Sequence, residues 1–456
     1  MPTILEYMDI PLDDNFSHLD GSSLLPYING AEMPENYAFT ETGNPLQDTK
    51  PPKEPNVKSV RTSKWKLIFN EYDNSKELYN LELDPSELEN LIGTGAKIEE
   101  VLWKKTCLYA GHLDQLPEQG SYFIWDKTGS EIIILRNDSG NIVAFYNSCR
   151  HRGSAIVRKR SGTLGKTFAC GYHGLTFVRV GYLNSVPDVR EFSNFDRSCR
   201  NLVQVRCEIY GNWIFVNENN NAEPLADFLN PISRFFDHLP LKSLRLIHQH
   251  TQSVPCNYKV LIENFLEVYH FRLLHPSTTD RIFSQKKTAV HLWERGHSMM
   301  LSPHRRKGWV DPGTIGLPEM STTTRIEREF LPSYTVFPNF VLPIQATGVG
   351  AVLVWPVDIA NCLMDVVWFA PSWGDGPRPT IWSERIKNFD KILEEDTSFA
   401  MPMQRSISTL GFKGVALNYQ ERRIYHWHEE LDRSIGKINV PEGMSVEPLM
   451  SQFIER

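Results

Sequence analysis

The sequence predicts an α+β protein built from three successive units, and three observations carry that expectation. Between residues 98 and 220, short apolar runs with turn signals between them ("EIIILRN", "NIVAFYN", "LVQVRCEIYGNWIFVNEN") describe a small all-β domain. Over residues 221–456, "NYKVLIENFLEVYHF" reads as a helix while "AVLVWPV" and "CLMDVVWFAP" read as strands, so that unit is mixed sheet and helix. Residues 1–97 are set apart by the proline-rich "NPLQDTKPPKEPN" and read as a small α+β unit.

Taken in order, "VKSVRTSKWKLIFNEYDNSKELYNLELDPSELENLI" gives a strand, an Asp-Asn-Ser turn, a shorter strand and an acidic helix start. This stretch, with "KELYNLELDP" at its centre and "PTILEYMDIP" ahead of it, resembles the C-terminal subdomain of sulfatases. The resemblance does not imply hydrolysis, because the C/S-x-P-x-R signature that supplies the sulfatase nucleophile occurs nowhere in the chain. Residues 1–97 are therefore expected to be a fragment fused to another protein. In the second unit, "KIEEVLWKKTCLYAGHLDQLPEQGSYFIW" reads as a short helix and a loop ahead of the apolar strands. The polar "NENNNAEP", residues 217–224, reads as the linker to the third unit, which closes with the helix "NYQERRIYHWHEELDRSI".

Bulk composition narrows the function classes. The formal charge of −7 argues against a nucleic-acid binder. No apolar run approaches the length of a membrane span, and the acidic start "MPTILEYMDIPLDD" lacks the form of a secretory signal. Seven scattered cysteines, two of them in a ligand pattern, point to a reducing, cytoplasmic setting rather than a disulfide framework.

That ligand pattern is "NSCRHRGSAIVRKRSGTLGKTFACGYHG", which pairs Cys149 with His151 and Cys170 with His173. Two thiolates and two imidazoles could hold a tetrahedral zinc ion. Zinc fingers, however, pair like with like along the chain, whereas each arm here offers one of each. The mixed order fits a Rieske [2Fe–2S] centre, in which one iron takes both thiolates and the other both histidines. Gly153, Gly171 and Gly174 would let backbone amides approach the cluster. Leu175 stands where the usual Rieske arm carries tryptophan, a change that leaves the ligands intact.

A second pattern lies in "ENFLEVYHFRLLHPSTTD", which carries His270 and His275. On a continuous helix, residues five apart diverge by about 140°. Both imidazoles reach one ion only if the helix breaks between them, and Pro276 supplies a reason for a break. "KILEEDTSFAMPMQRS" offers Glu394, Glu395 and Asp396 as the carboxylate that would complete a facial triad open to dioxygen.

Together these motifs resemble the catalytic subunit of Rieske non-haem iron oxygenases of the aromatic-ring-hydroxylating type, over residues 98–456. The matching positions are Asn257-Tyr258-Lys259, Glu263-Asn264-Phe265, Glu267, Tyr269-His270 and His275-Pro276, with Asp396 eight residues before Gln404. The resemblance implies a helix-grip catalytic domain (an antiparallel sheet around helices) and mononuclear Fe(II) held by His270, His275 and Asp396. It also implies Asn264 and Glu267 as catalytic-site residues, dioxygen as co-substrate and a homotrimer in which a carboxylate, here Glu267, bridges His173 of one subunit and His270 of the next. Glutamate at this place resembles the branch that oxidises quaternary amines. No G-x-G-x-x-G follows a strand, so electrons from NAD(P)H are expected through a separate reductase or ferredoxin. The substrate is expected to be a small aromatic compound or quaternary amine, mono- or dioxygenated. Phe271, Leu273, Phe337, Phe340 and Trp355 are candidates to line its pocket, with core packing the expectation for any single one. Two alternatives remain: a Rieske electron carrier without oxygenase activity, and a sulfatase-related fusion.

Overall fold

Strand pairing organises both parts of the molecule. The computed structural model describes residues 38–42, 57–62, 65–70, 75–81, 102–409, 411–436, 440 and 444–455. They belong to two units, Met1–Lys97 and Ile98–Arg456.

In the first unit β1 (Ala38–Thr42), β2 (Val57–Arg61), β3 (Trp65–Asn70) and β4 (Ser75–Asn80) form an antiparallel sheet in sequence order. The β3–β4 hairpin closes at Asn70 and Ser75, around the expected turn. The run "VKSVRTSKWKLIFN", which reads as one strand, is instead two strands folded back on each other, with Arg61 opposite Lys66. The segment "PTILEYMDIP" and the acidic helix start expected beyond residue 84 lie outside the described residues.

In the second unit the chain first makes β5 (Leu108–His112), β6 (Ser121–Trp125), β7 (Ile132–Arg136), β8 (Ile142–Tyr146), β9 (Ser161–Thr163), β10 (Thr167–Ala169), β11 (Thr176–Val178), β12 (Leu183–Ser185), β13 (Gln204–Tyr210) and β14 (Trp213–Asn217). Seven of these form a sheet of order β5-β14-β13-β8-β7-β6-β9, and β10-β11-β12 form a small second sheet. Two of the strands, β5 and β6, correct the expectation of a loop. Both are buried along their whole length, so "LYAGH" and "SYFIW" lack the in-out alternation that marks a half-buried strand. Gly111 looks like a breaker but is a close-packing position: a Cβ there would sit 2.6 Å from the Phe123 ring.

The rest of the chain adds α1 (Leu225–Phe228), β15 (Leu244–Val254), α2 (Tyr258–Phe265), α3 (Phe271–Leu274), β16 (Ala289–Trp293), β17 (Ser298–Pro303), α4 (Arg325–Glu329), β18 (Phe330–Val336), β19 (Phe340–Gln345), β20 (Gly348–Asp358), β21 (Asn361–Pro371), α5 (Ile381–Thr397), α6 (Ala400–Ile407), α7 (Arg422–Ile435) and β22 (Ile454–Glu455). Its eight-stranded sheet has the order β15-β21-β20-β19-β18-β17-β16-β22 and is antiparallel except where β22 joins β16. The helix expected over "NYKVLIENFLEVYHF" ends at Phe265, and a separate single turn, α3, follows. Pro402 falls in the first turn of α6, where its missing N–H is not needed.

The polar linker does not separate two independent cores. Tyr109 of β5 stacks on Phe340 of β19 with ring centroids 4.6 Å apart, and Trp125 of β6 meets Trp355 of β20 edge-on at 5.7 Å. These rings belong to one buried cluster that runs through both sheets. Lys127, between β6 and β7, reaches the buried Asp365 of β21 at 2.8 Å, and Trp355 Nε1 donates to the same carboxylate.

Two buried histidines make this core acid-sensitive. His297 Nε2–H donates to the Phe228 carbonyl at 2.7 Å while Nδ1 accepts from the Phe337 amide, a pairing that needs the neutral ring. Burial pushes the pKa values of His297 and His426 down to about 4. The unfolded chain takes up these protons near the ordinary histidine value while the folded chain resists them. Stability is therefore expected to fall as pH drops from about 6.5 towards 4, and denaturant titrations across that range should show a shallower decline in His297→Gln.

Candidate active site

Two loops of the same design carry the first ligand set. Cys149 N–H donates to the Ser154 carbonyl and Gly153 N–H to the Cys149 carbonyl, both at 2.9 Å. The second loop repeats this, from Cys170 N–H to Leu175 O at 2.8 Å and from Gly174 N–H to Cys170 O at 3.0 Å. Each turn ends in a glycine of positive φ, +75° at Gly153 and +74° at Gly174, where other residues are strained. Gly171 has no such requirement, and Leu175 is packed in the apolar cluster beneath the loops.

The loops bring the four side chains together. Both thiols are buried, while the imidazoles stand partly exposed, with His151 Nδ1 and His173 Nδ1 3.1 Å apart. Burial raises the Cys170 thiol, but the Tyr172 amide, the Cys149 thiol, the His173 amide and the Ser154 hydroxyl outweigh it and hold the group below its ordinary value, while burial pushes Cys149 itself up. Donors aimed at sulfur in this way suit an anionic thiolate cluster. Asn147, which sequence reasoning passed over, fixes the first loop: its amide donates to Glu131 and to the Val157 carbonyl, and its oxygen accepts from the Ile156 and Val157 amides.

The second set is assembled where α2 stops. His270 and His275 flank the single turn α3, and His275 leaves helical geometry with φ −116° and ψ 44° ahead of Pro276. The two rings thereby face the buried Asp396 near the end of α5: Asp396 Oδ1 lies 2.8 Å from His275 Nε2 and 3.5 Å from His270 Nε2. Donor atoms of the three residues lie within 4.8 Å of one another, a spread that one ion can bridge.

The outer nitrogens are occupied by carboxylates. Glu395 Oε2 accepts from His275 Nδ1 at 2.6 Å and from Thr278 Oγ1 at 2.9 Å. Burial lowers the His275 pKa, yet Asp396 and Glu395 together hold it above its ordinary value. Glu267 Oε1 accepts from His270 Nδ1, as its spacing suggests, though not along a helix. The helix has ended by Leu266, and Glu267 Oε2 holds the irregular segment that follows by accepting the backbone amides of Tyr269 and His270. Glu395 figures in the sequence only as an alternative ligand; its place beside Asp396 on the helix puts it one position out of line with the ion and in reach of the ring's far side.

A cleft of about 150 Å³ opens above this triad. Its wall along α5 is a helical stripe of Arg385, Phe389, Ile392 and Leu393 that ends at Asp396, and Phe271, Phe283 and Trp368 close other sides. Of the pocket candidates, only Phe271 lines this cleft. Leu273 is 87% exposed, and Phe337, Phe340 and Trp355 belong to the shared core instead, where strand pairing turns them away from the cleft. Asn264 lines the cleft, and its buried Nδ2 has no partner among the described residues. At the far end Arg385 Nη1 contacts Asp311 at 2.5 Å, and Arg385 Nε is buried without an acceptor among the described residues.

The sequence profile of the Rieske [2Fe-2S] domain matches residues 106–198, and that of the ring hydroxylating alpha subunit (catalytic domain) matches residues 241–437. The chain thus joins a Rieske domain to the catalytic domain of a ring-hydroxylating alpha subunit. It is 28% identical over 186 residues to the carnitine monooxygenase oxygenase subunit of Acinetobacter pittii, covering 40% of this chain and 50% of that protein. It is 27% identical over 231 residues to benzene 1,2-dioxygenase subunit alpha of Pseudomonas putida, covering 47% of each. The matched stretch therefore spans about half the length of these curated relatives. Among solved structures, a quaternary ammonium Rieske monooxygenase superposes with a TM-score of 0.65 at 20% identity, covering 75% of this chain and 93% of that one. Naphthalene 1,2-dioxygenase from Rhodococcus sp. superposes with a TM-score of 0.62 at 19% identity, covering 78% and 96%. Neither matched profile reaches residues 1–105, so the sulfatase likeness rests on sequence alone. Among the described residues no helix is long and apolar enough to cross a membrane.

Metal analysis distinguishes the roles of the two acids on α5. Asp396→Ala is expected to lose the mononuclear iron and keep the reduced-cluster EPR signal. Glu395→Gln should retain the iron with affinity lowered by about 10–100-fold, the usual cost of removing an orienting carboxylate.

Proposed function

We propose that this chain is the oxygenase component of a Rieske non-haem iron system, oxidising a small, largely apolar organic substrate with dioxygen. A separate NAD(P)H-dependent reductase, directly or through a ferredoxin, would supply the electrons. The observation that carries this is the convergence of His270, His275 and Asp396 at the floor of an apolar cleft. An electron carrier alone has no use for such a cleft.

Cys149, His151, Cys170 and His173 would hold the cluster, and His270, His275 and Asp396 the iron. The first centre supplies single electrons and the second activates dioxygen. Around them the protein's own groups have defined tasks. Glu395 and Glu267 keep the outer nitrogen of each imidazole protonated, so that the inner nitrogens remain lone-pair donors. The free Asn264 amide offers a hydrogen bond to a polar atom near the floor. The carbon-rich wall excludes water and orients an apolar body.

Both an aromatic compound and a quaternary amine fit the relatives, and the cleft favours the first. Its rings could face a cation, but the wall gives a compact zwitterion few polar partners. Arg385, neutralised by Asp311 and left with a spare N–H, suits an uncharged acceptor such as a carbonyl or hydroxyl at the end of the substrate remote from the iron.

We further propose a homotrimer in which Glu267 of one subunit hydrogen-bonds His173 of its neighbour. Support comes from the partial exposure of His151 and His173 at the tips of their loops. One solved relative is described as showing inter-subunit electron transfer. Residues 1–97 would be an accessory piece without catalysis of its own, since all seven proposed ligands lie beyond it.

Reconstitution with a reductase, NADH and ¹⁸O₂ tests the activity. Labelled product from an aromatic or quaternary-amine panel is the expected outcome, and enzyme loaded with both centres but showing no substrate-dependent oxygen uptake would refute it. Arg385→Met should raise KM on the order of tenfold for substrates bearing a remote acceptor, with kcat little changed. Glu267→Gln should keep both metals and slow single-turnover oxidation of the reduced cluster in the presence of substrate.

A further inference from the structure

A second cluster of metal-binding side chains lies behind the cleft wall, away from the triad. His248 and His250 are alternate residues of β15, so both project from the same face of the strand. Asp390 comes to them from α5, the helix whose cleft-facing stripe ends at Asp396. His248 Nε2 lies 2.9 Å from His250 Nδ1, and His250 Nε2 lies 4.0 Å from Asp390 Oδ1. One donor atom from each residue can be chosen so that all lie within 4.8 Å of one another, as at the triad.

We propose that His248, His250 and Asp390 form a separate site for a divalent transition-metal cation of the zinc type. A simple hydrogen bond accounts for the histidine pair but leaves Asp390 unexplained. Its Oδ1 is shielded from solvent and has no hydrogen-bond partner among the described residues. A carboxylate oxygen left so beside two imidazoles is costly unless something fills the gap, and a cation satisfies all three donors at once. Two imidazoles with one carboxylate suit zinc, cobalt or nickel better than calcium or magnesium, which prefer all-oxygen sets. The nearby positive charge of Arg378 is directed elsewhere, to the Ile247 carbonyl at 2.7 Å and the Ser383 hydroxyl at 3.1 Å.

The placement gives such an ion a task. β15 is the edge strand of the large sheet, and His248 pairs in register with Trp368 of β21. Trp368 lines the cleft and packs edge-on against Phe389, the neighbour of Asp390, with centroids 5.2 Å apart. A cation held by β15 and α5 would staple the helix that carries Asp396 to the sheet that backs the cleft.

Cobalt titrated into the iron-loaded full chain tests the site. The expected result is a single bound Co²⁺ per chain with no iron released, a higher Tm, and affinity lower by on the order of a hundredfold in Asp390→Asn and in His250→Gln. No cobalt binding by the wild type, equal binding by both variants, or cobalt taken up only as iron is displaced would overturn the proposal. Should a variant lose its iron through misfolding, X-ray absorption at the cobalt edge of the iron-replete wild type decides the matter. Imidazole scattering supports the site, and an all-oxygen shell refutes it.

Discussion

The structure of the iron-binding half turns on one short carboxylate. Glu267 lies two residues past the end of α2 and holds the segment that follows, taking two backbone amides on one oxygen and the His270 ring on the other. Amides at the start of a helical turn otherwise lack partners, and an acidic group there meets them with matched charge. The same contact therefore sets the backbone path and the ring orientation. A longer α2 would carry His270 round to a face that His275 cannot share. From the other side the buried Arg423 of α7 secures the break, donating to the Leu266 carbonyl at 3.3 Å and to the hydroxyls of Ser298 and Thr335. Burial pushes this guanidinium down to a pKa of about 9, the cost of placing a cation where only carbonyl and hydroxyl dipoles answer it.

Such a cost is tolerable because the surroundings are held rigidly. Aromatic rings from β5 and β6 lock against β19 and β20, so the sheet that backs the iron site is fixed by the domain that carries the Cys/His loops. Packing of this density transmits displacement rather than absorbing it. The Cys/His loops stand on their own apolar cluster, on strands β6, β7 and β8 that also contribute residues to the core shared with the large sheet.

Much of this was legible in the sequence, and the exceptions have physical reasons. The Cys/His pairs and the H-x4-H motif announce themselves because few other structures use those residues at those spacings. Asp396 could be chosen over Glu394 and Glu395 only through family resemblance, since three acids in a row look alike until a helix turns them to different directions. β5 and β6 were hidden because strands buried on both faces show no alternation. Phe271 could not be told apart from Phe340 and Trp355, because an aromatic ring reads the same whether it faces a cleft or a neighbouring sheet. The Arg385–Asp311 pair, 74 residues apart, left no local trace at all.

The contrast between the ends of the cleft bears on how one scaffold can serve different substrates. At the floor the groups are over-determined: each imidazole is held by a carboxylate, and those carboxylates are themselves hydrogen-bonded to backbone or hydroxyl. At the far end a single ion pair on α5 and a neighbouring loop defines the polarity, with one N–H unspent. The Arg385–Asp311 pair lies some eleven helical residues from Asp396, about 16 Å along the axis, and Asp311 also accepts the Gly313 amide at 2.9 Å. Chemistry and selectivity are thus separated along one helix. Under the proposed function, a change at Arg385 would alter recognition of the substrate's remote end and leave the geometry that gathers His270, His275 and Asp396 unchanged.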